Sequence, residues 1–303
     1  MEIMATELGF PEGPVAMPDG SVLVVEIQRE CLSRVRPDNR VEIVAKIGGG
    51  PNGAAMGPGG KVFICNNGGF HWVRRGEGWW PHGQAHDYET GRIEVVDIST
   101  GKVERLYDSC DGNRLNGPND IVFDRDGGFY FTDLGKRRER DMDRGYVFWA
   151  RADGSEIREV VSTMHTPNGI GLSPDGGTLY VAETDTGRLW AFDIVGPGQL
   201  RKREGVLPYG GRLVVGLGGY RRFDSLAVAA SGNVCVGGVD NGCIVEISPD
   251  GSFVRDHPAP DMLTTNLCFG GDDMRTAFVT LSHGGRLGVI RWHEPGLRLN
   301  YQA

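Results

Sequence analysis

One phrase recurs six times along this chain, and it constrains the fold more than any other feature. It reads "FPEGPVAMPDGSVLVVE" from Phe10, "GPNGAAMGPGGKVFICN" from Gly50, "GPNDIVFDRDGGFYFTD" from Gly117, "TPNGIGLSPDGGTLYVAE" from Thr166, "RFDSLAVAASGNVCVGG" from Arg222 and "LTTNLCFGGDDMRTAFV" from Leu263. Each copy sets one polar residue ahead of an apolar stretch, then a Gly-rich turn, then a second apolar stretch. The polar residues are Glu12, Asn52, Asn119, Asn168, Asp224 and Asn266, spaced 40, 67, 49, 56 and 42 residues apart. Repeats of about 40 to 50 residues built from short strands indicate a β-propeller rather than a helical solenoid. The expected fold is therefore all-β: a six-bladed β-propeller with four-stranded blades.

A closed all-β ring of this size commonly forms one unit, so a single domain over 1–303 is expected. The 48 glycines fall at turns between strands and not in a linker. In the fourth copy "GIGLS" reads as the innermost strand, "PDGG" as the turn, "TLYVAE" as the second strand and "RLWAFDI" as the third. The Asp-Gly and Gly-Gly pairs supply the positive φ of tight hairpins, so "DRDGG" from Asp124 is a turn and not the start of a calcium-binding helical hand.

No apolar run approaches the roughly 18 residues of a membrane span, and "MEIMATELGF" lacks the basic start and apolar centre of a secretory signal, so a cytoplasmic chain without a membrane partner is expected. Six cysteines without C-x-x-C spacing read as reduced thiols. A net charge of −8 argues against a nucleic-acid partner. The basic run "KRRERDMDRG" from Lys136 alternates with acids and reads as a solvated loop.

Strand direction turns the six polar residues into a constellation. The first two strands of each repeat are antiparallel, so the residue before the first and the turn after the second lie on one face of the ring. The first strand is innermost, which aims all six side chains at the axis. Two carboxylates among four amides in a narrow channel repel each other unless a cation sits among them. Six hard oxygen donors without thiolate or imidazole favour calcium, magnesium or manganese.

"FPEGP" with Glu12, "GPNDIVFD" with Asn119, "TPNGIGLSPDG" with Asn168 and "FDSLAV" with Asp224 resemble, in order, the metal-site motifs of the regucalcin, gluconolactonase and luciferin-regenerating-enzyme family of six-bladed propellers. The resemblance implies a metal-dependent lactonase with Glu12, Asn119, Asn168 and Asp224 as metal ligands. Asn52 and Asn266 would be outer members that touch water or substrate, Asn119 doing so as well. Calcium is the foremost cofactor, with Mn2+, Mg2+, Fe2+ and Zn2+ the other divalent ions open to the site. The cation would polarise the carbonyl of a small lactone, and Asp224 would act as general base towards water or as nucleophile. No G-x-S-x-G elbow offers a serine nucleophile in its place.

His283, in "TLSHGGRL", falls at the turn after the second strand of the last repeat, on the metal face, and is a candidate catalytic residue. The insertion "GGFHWVRRGEGWWPHGQAHDYETG" from Gly68 rises over the same face, with Phe70, Trp72 and Trp80 as candidate substrate contacts in a lid. His82 and His86 are four apart, but the Pro and Gly around them argue against a helical metal pair. Gly117 stands where the animal sugar lactonases of the family carry an arginine, and Phe223-Asp224-Ser225 replaces the usual Pro-Asp-Gly. The missing arginine and the aromatic insertion together point to a smaller or less hydroxylated lactone. The alternatives are a phosphotriesterase-like hydrolase of the diisopropyl fluorophosphatase type on the same metal, and a propeller that only binds calcium or a partner.

Overall fold

The structure, a computed structural model, describes residues 1–205 and 208–302. Six antiparallel sheets follow one another along the chain, each with its innermost strand first. Those innermost strands are Pro11–Ala16, Pro51–Met56, Pro118–Phe123, Pro167–Leu172, Arg222–Val228 and Thr264–Gly270. Each packs against the innermost strand of the next blade, and the sixth returns to the first, so the sheets form a closed six-bladed propeller. In the fourth blade the third strand, Arg188–Gly196, pairs along its outer edge with Arg212–Gly216 and, at its far end, with a short extra strand, Gln199–Leu200.

The ring is locked at its seam. The sixth blade takes its outer strand from the start of the chain, Glu2–Ala5, which pairs with Arg286–Arg291. That pairing hides an edge that would otherwise expose a row of N–H and C=O groups. The core lies between blades, where alternate side chains of adjacent sheets interdigitate; Trp149 and Trp190 are its largest fully buried members. The Trp149 indole N–H is satisfied by Asp124 Oδ2 at 2.7 Å, while Asp124 Oδ1 accepts from the Asp126 and Gly128 amides, so "DRDGG" is a capped turn.

Two features differ from the sequence reading. The six polar residues do not precede the innermost strands but lie within them, and the pairing to the second strand shifts register at each, between Glu12 and Val15, Pro51 and Ala54, Pro118 and Ile121, Pro167 and Ile170, Phe223 and Leu226, and Thr264 and Asn266. A bulge re-aims a side chain that regular pleating would send into the blade. The second is Lys136, which is buried and not solvated: its ammonium donates to Asn67 O and Gly69 O, both at 2.7 Å, and lies 4.6 Å from the Phe70 ring and 5.1 Å from the Tyr88 ring. Arg137 and Arg138, the next two residues, behave as expected, pairing at the surface with Asp185 and with Asp141 and Asp143.

All six cysteines are buried and unpaired. No helix among the described residues is long and apolar enough to cross a membrane.

Candidate functional site

Close approach of the innermost strands builds the centre of the ring. A Cβ on Gly53 would lie 2.4 Å from Asn119 O, and one on Gly169 would lie 2.6 Å from Asp224 O. Only glycine fits after Asn52 and Asn168, and its absence of side chain brings neighbouring blades near enough for their polar residues to meet.

They meet as a buried cluster. Glu12, Asn52, Asn119, Asn168 and Asn266 are each 5% exposed or less. Glu12 Oε2 accepts from the Gly13 amide and from Asn266 Nδ2, both at 2.9 Å. Asn168 Oδ1 accepts from Ser225 Oγ at 3.3 Å and its Nδ2 donates to Thr184 Oγ1 at 3.1 Å. Asp224 Oδ1 accepts from the Ser225 amide at 3.1 Å. Asn119 Oδ1 is buried and has no hydrogen-bond partner.

A third carboxylate joins them. Asp120 follows Asn119 and is buried, its Oδ1 bound by the Ile121 amide at 2.9 Å. The signal for it was an acid in "GPNDIVFD" where three other repeats have glycine. Burial raises the Glu12 carboxyl above its ordinary value despite hydrogen bonds from Thr265, Asn266 and Gly13. Burial pushes Asp120 up to about 7, and the Glu12 charge adds to the shift. Asp224 is held well above the carboxylate range by burial first and by repulsion from Glu12 and Asp120, against relief from Asn168 and Arg222. The buried Glu12 and Asp120 and the half-buried Asp224, the latter two pushed up by the Glu12 charge, form beside an orphaned amide oxygen a donor set that a hard divalent cation would satisfy.

A cavity of about 190 Å3 opens over this cluster. Glu12, Asn52, Asn119, Asn168 and Asp224 form its floor, and Phe70, Trp80 and Pro81 part of its wall. The wall comes from the insertion, which folds as a hairpin of Phe70–Arg75 with Gly78–Gln84. Its rings pack on the apolar end of the ring formed by Phe10, Ile27, Val239 and Leu263. Trp72 lies behind this wall, 5.0 Å from Phe10 and 5.8 Å from Phe70. Two arginines that the sequence reading missed, Arg137 and Arg222, line the cavity and share Asp185.

Asn266 and His283 are not among the cavity's lining residues. Asn266 faces a second, apolar-walled cavity together with Asp120, and its tie to the site is its bond to Glu12. His283 lies under the hairpin, its ring 6.3 Å from Trp80 and its Nδ1 buried without a partner. His82 and His86 do not share a helix; their rings lie 6.3 and 4.8 Å from that of His71.

Fold and site together define a six-bladed propeller with an axial cluster of hard oxygen donors beneath an aromatic hairpin. Residues 10–283 match the SMP-30/gluconolactonase/LRE-like region, and the chain belongs to that family. A gluconolactonase from Zymomonas mobilis is 26% identical over 313 aligned positions, spanning 93% of this chain and 79% of that protein. The solved structure of a gluconolactonase from Xanthomonas campestris superposes with a TM-score of 0.74 at 21% identity, covering 95% of this chain and 88% of that one. A regucalcin from Agrobacterium tumefaciens, described as a calcium-binding protein, superposes with a TM-score of 0.70 at 18% identity, covering 99% of this chain and 100% of that one.

Proposed function

We propose that this chain, a single propeller domain over 1–303, is a metal-dependent lactonase that adds water to a small cyclic ester. The observation that carries the reading is the unpartnered Asn119 Oδ1 in the cavity lining, beside Asp224, which burial and the Glu12 charge hold well above the carboxylate range against only partial relief from Asn168 and Arg222. Glu12, Asn119, Asn168 and Asp224 would hold the cation, and their hard oxygens favour calcium. Once bound, the cation supplies Lewis-acid polarisation of the lactone carbonyl. A calcium-binding neighbour of the same fold and a gluconolactonase relative support this reading.

The chain's own residues do the rest. Asp224 accepts the proton of the attacking water, since it lines the cavity and its proton affinity is raised by Glu12 and Asp120. The water oxygen bonds to the acyl carbon, the ring C–O bond breaks, and the leaving alkoxide takes the proton back to give a hydroxy acid. Asn52 and Asn119 orient the substrate, while Phe70 and Trp80 cover it and screen it from bulk solvent, leaving the attacking water at Asp224. Asn266 fixes the Glu12 carboxylate. His283, outside the cavity lining, supports Trp80 from beneath the hairpin, and would become the alternative base if the hairpin moved to admit it. The buried free thiols suit a reducing cytoplasm.

The test is a panel of sugar and aliphatic lactones assayed with chelator-stripped protein and with protein reloaded with calcium, manganese, magnesium, iron or zinc. Loss of ring opening on stripping and its return on reloading are expected. Equal rates before and after stripping would overturn the reading. Turnover of a fluorophosphate triester with no lactone opened would favour the phosphotriesterase alternative, and calcium uptake without turnover of either would favour a binding propeller.

A further inference from the structure

A second constellation stands on the outside of the ring, away from the axis. Glu246 lies on the third strand of the fifth blade, Cys243–Ile247, and His257 on its outer strand, Val254–Pro258. Ile244 pairs with His257, so Glu246 and His257 are diagonal neighbours on one face of that antiparallel pair. His293 comes from the sixth blade, two residues past its strand Arg286–Arg291. The ligand atoms of the three side chains all lie within 4.8 Å of one another.

Two of the spacings are near those of a tetrahedral centre. Glu246 Oε2 is 2.8 Å from His257 Nε2, and Glu246 Oε1 is 3.2 Å from His293 Nε2. Neighbouring ligands on a tetrahedral ion with bonds of 2.0–2.1 Å stand about 3.4 Å apart, so an ion would draw the ligand atoms, now within 4.8 Å of one another, closer together. Surrounding groups hold the carboxylate in place. Asn233 Nδ2 donates to Glu246 Oε1 at 2.8 Å, and the His257 ring is packed 4.6 Å from Trp292 and 5.7 Å from His293. Glu294 Oε1 lies 3.8 Å from His293 Nε2, beside the open side of the group.

The energetics point the same way. The Glu246 side chain is only 2% exposed, and its ion-pair partners are two imidazoles that are charged only when protonated. A divalent ion bound among the three would give this buried carboxylate a full counter-charge in addition to its hydrogen bonds. The His293 side chain is 47% exposed, which gives an ion a path in from solvent.

We propose that Glu246, His257 and His293 form a zinc-class metal site that clamps the fifth blade to the segment following the last strand of the sixth. Two imidazoles and a carboxylate suit zinc or cobalt, with water or Glu294 in the fourth position. The axial cluster has carboxylates and amides but no imidazole on its floor, so the two sites select different metals. Its His293 end follows the strand Arg286–Arg291 that receives Glu2–Ala5 where the ring closes, and the role of the clamp is structural.

The test uses the full chain with calcium in excess to satisfy the axial oxygens. Cobalt is titrated and its visible absorption followed, then displaced with zinc, and zinc-dependent melting is recorded. The parent is expected to take up one cobalt with an intense tetrahedral spectrum, to release it to zinc, and to melt at higher temperature with zinc. His293→Ala removes a half-exposed ligand and keeps the fold, as its melting without zinc will show; it should weaken zinc by at least about 100-fold and abolish the rise in melting temperature. Glu246→Gln should also lose the spectrum. A parent that binds no zinc in the presence of calcium would leave only a hydrogen-bonded His–Glu–His triad and overturn the site. Binding that persists unchanged in His293→Ala would overturn it too, by placing the zinc elsewhere.

Discussion

Gly169→Ala tests whether the close approach of neighbouring blades sets the geometry of the axial cluster. The new Cβ would fall 2.6 Å from Asp224 O and 2.7 Å from Leu226 N, while ordinary contact starts at 3.4 Å. Both obstacles are backbone atoms, so relief requires one innermost strand to shift by about 0.8 Å relative to its neighbour. Overpacking of this kind costs roughly 1–3 kcal/mol, and the upper half of that range applies where no side chain can rotate away. Loss of glycine freedom in the unfolded chain offsets about 0.4–1 kcal/mol. The net loss is about 2 kcal/mol. An unfolding entropy of roughly 2.1 cal/mol/K per residue converts this into a melting point about 3 °C lower. The same shift separates Asn168 from Asp224 and Ser225, so ion affinity should fall about tenfold. Gly218→Ala, with nothing within 4 Å of its added Cβ, is the control. Calorimetry and a calcium titration on the two variants decide the matter. If Gly169→Ala melts with the control and binds calcium as the parent does, the contact of blades four and five does not position the site.

Asp224→Asn keeps an oxygen of similar size but removes charge and proton acceptor; it should weaken the ion and abolish lactone turnover even with the site refilled, as steady-state assays with excess metal will show. Replacing the hairpin tip from Trp72 to Pro81 by a short turn should raise KM or change lactone preference while calcium affinity stays within about twofold, because no axial ligand lies in it. Phe70 and Tyr88 are kept in that variant because they cover Lys136. Burial lowers the Lys136 ammonium from 10.5 to about 7, against the pull of Asp133 and Asp143. Between those two pH values the unfolded chain holds a proton that the folded chain lacks, so this group makes stability rise with pH by up to about 1.4 kcal/mol per unit. Denaturant unfolding of the parent and Lys136→Met from pH 7 to 10 should show that slope in the parent alone, and parallel curves would refute it.

The propeller was legible because each blade repeats one phrase and the ring needs six of them. The polar residues marked the axis for the same reason: each recurs at the same place on an innermost strand. What the sequence did not reveal depends on packing between repeats. The close approach of Gly169 to Asp224 and Leu226 is set across the blade boundary, which a single repeat does not encode. Lys136 read as one more charge in an alternating run, whereas the insertion from the second blade folds over it. Asp120 carries no repeat signal of its own, because it is a second polar residue at a place where three other copies have glycine. Glu246, His257 and His293 carry no local spacing signal, since strand pairing and the neighbouring blade bring them together.

The central claim is that the axial residues hold one catalytic cation, and anomalous diffraction from crystals grown with calcium, and then with manganese, tests it most directly. The account predicts a single axial peak, with one oxygen from each of Glu12, Asn119, Asn168 and Asp224 at roughly 2.3–2.6 Å in the calcium crystal. An axis without an anomalous peak in either crystal, with Asn119 Oδ1 and Asp224 turned to other partners, would contradict it.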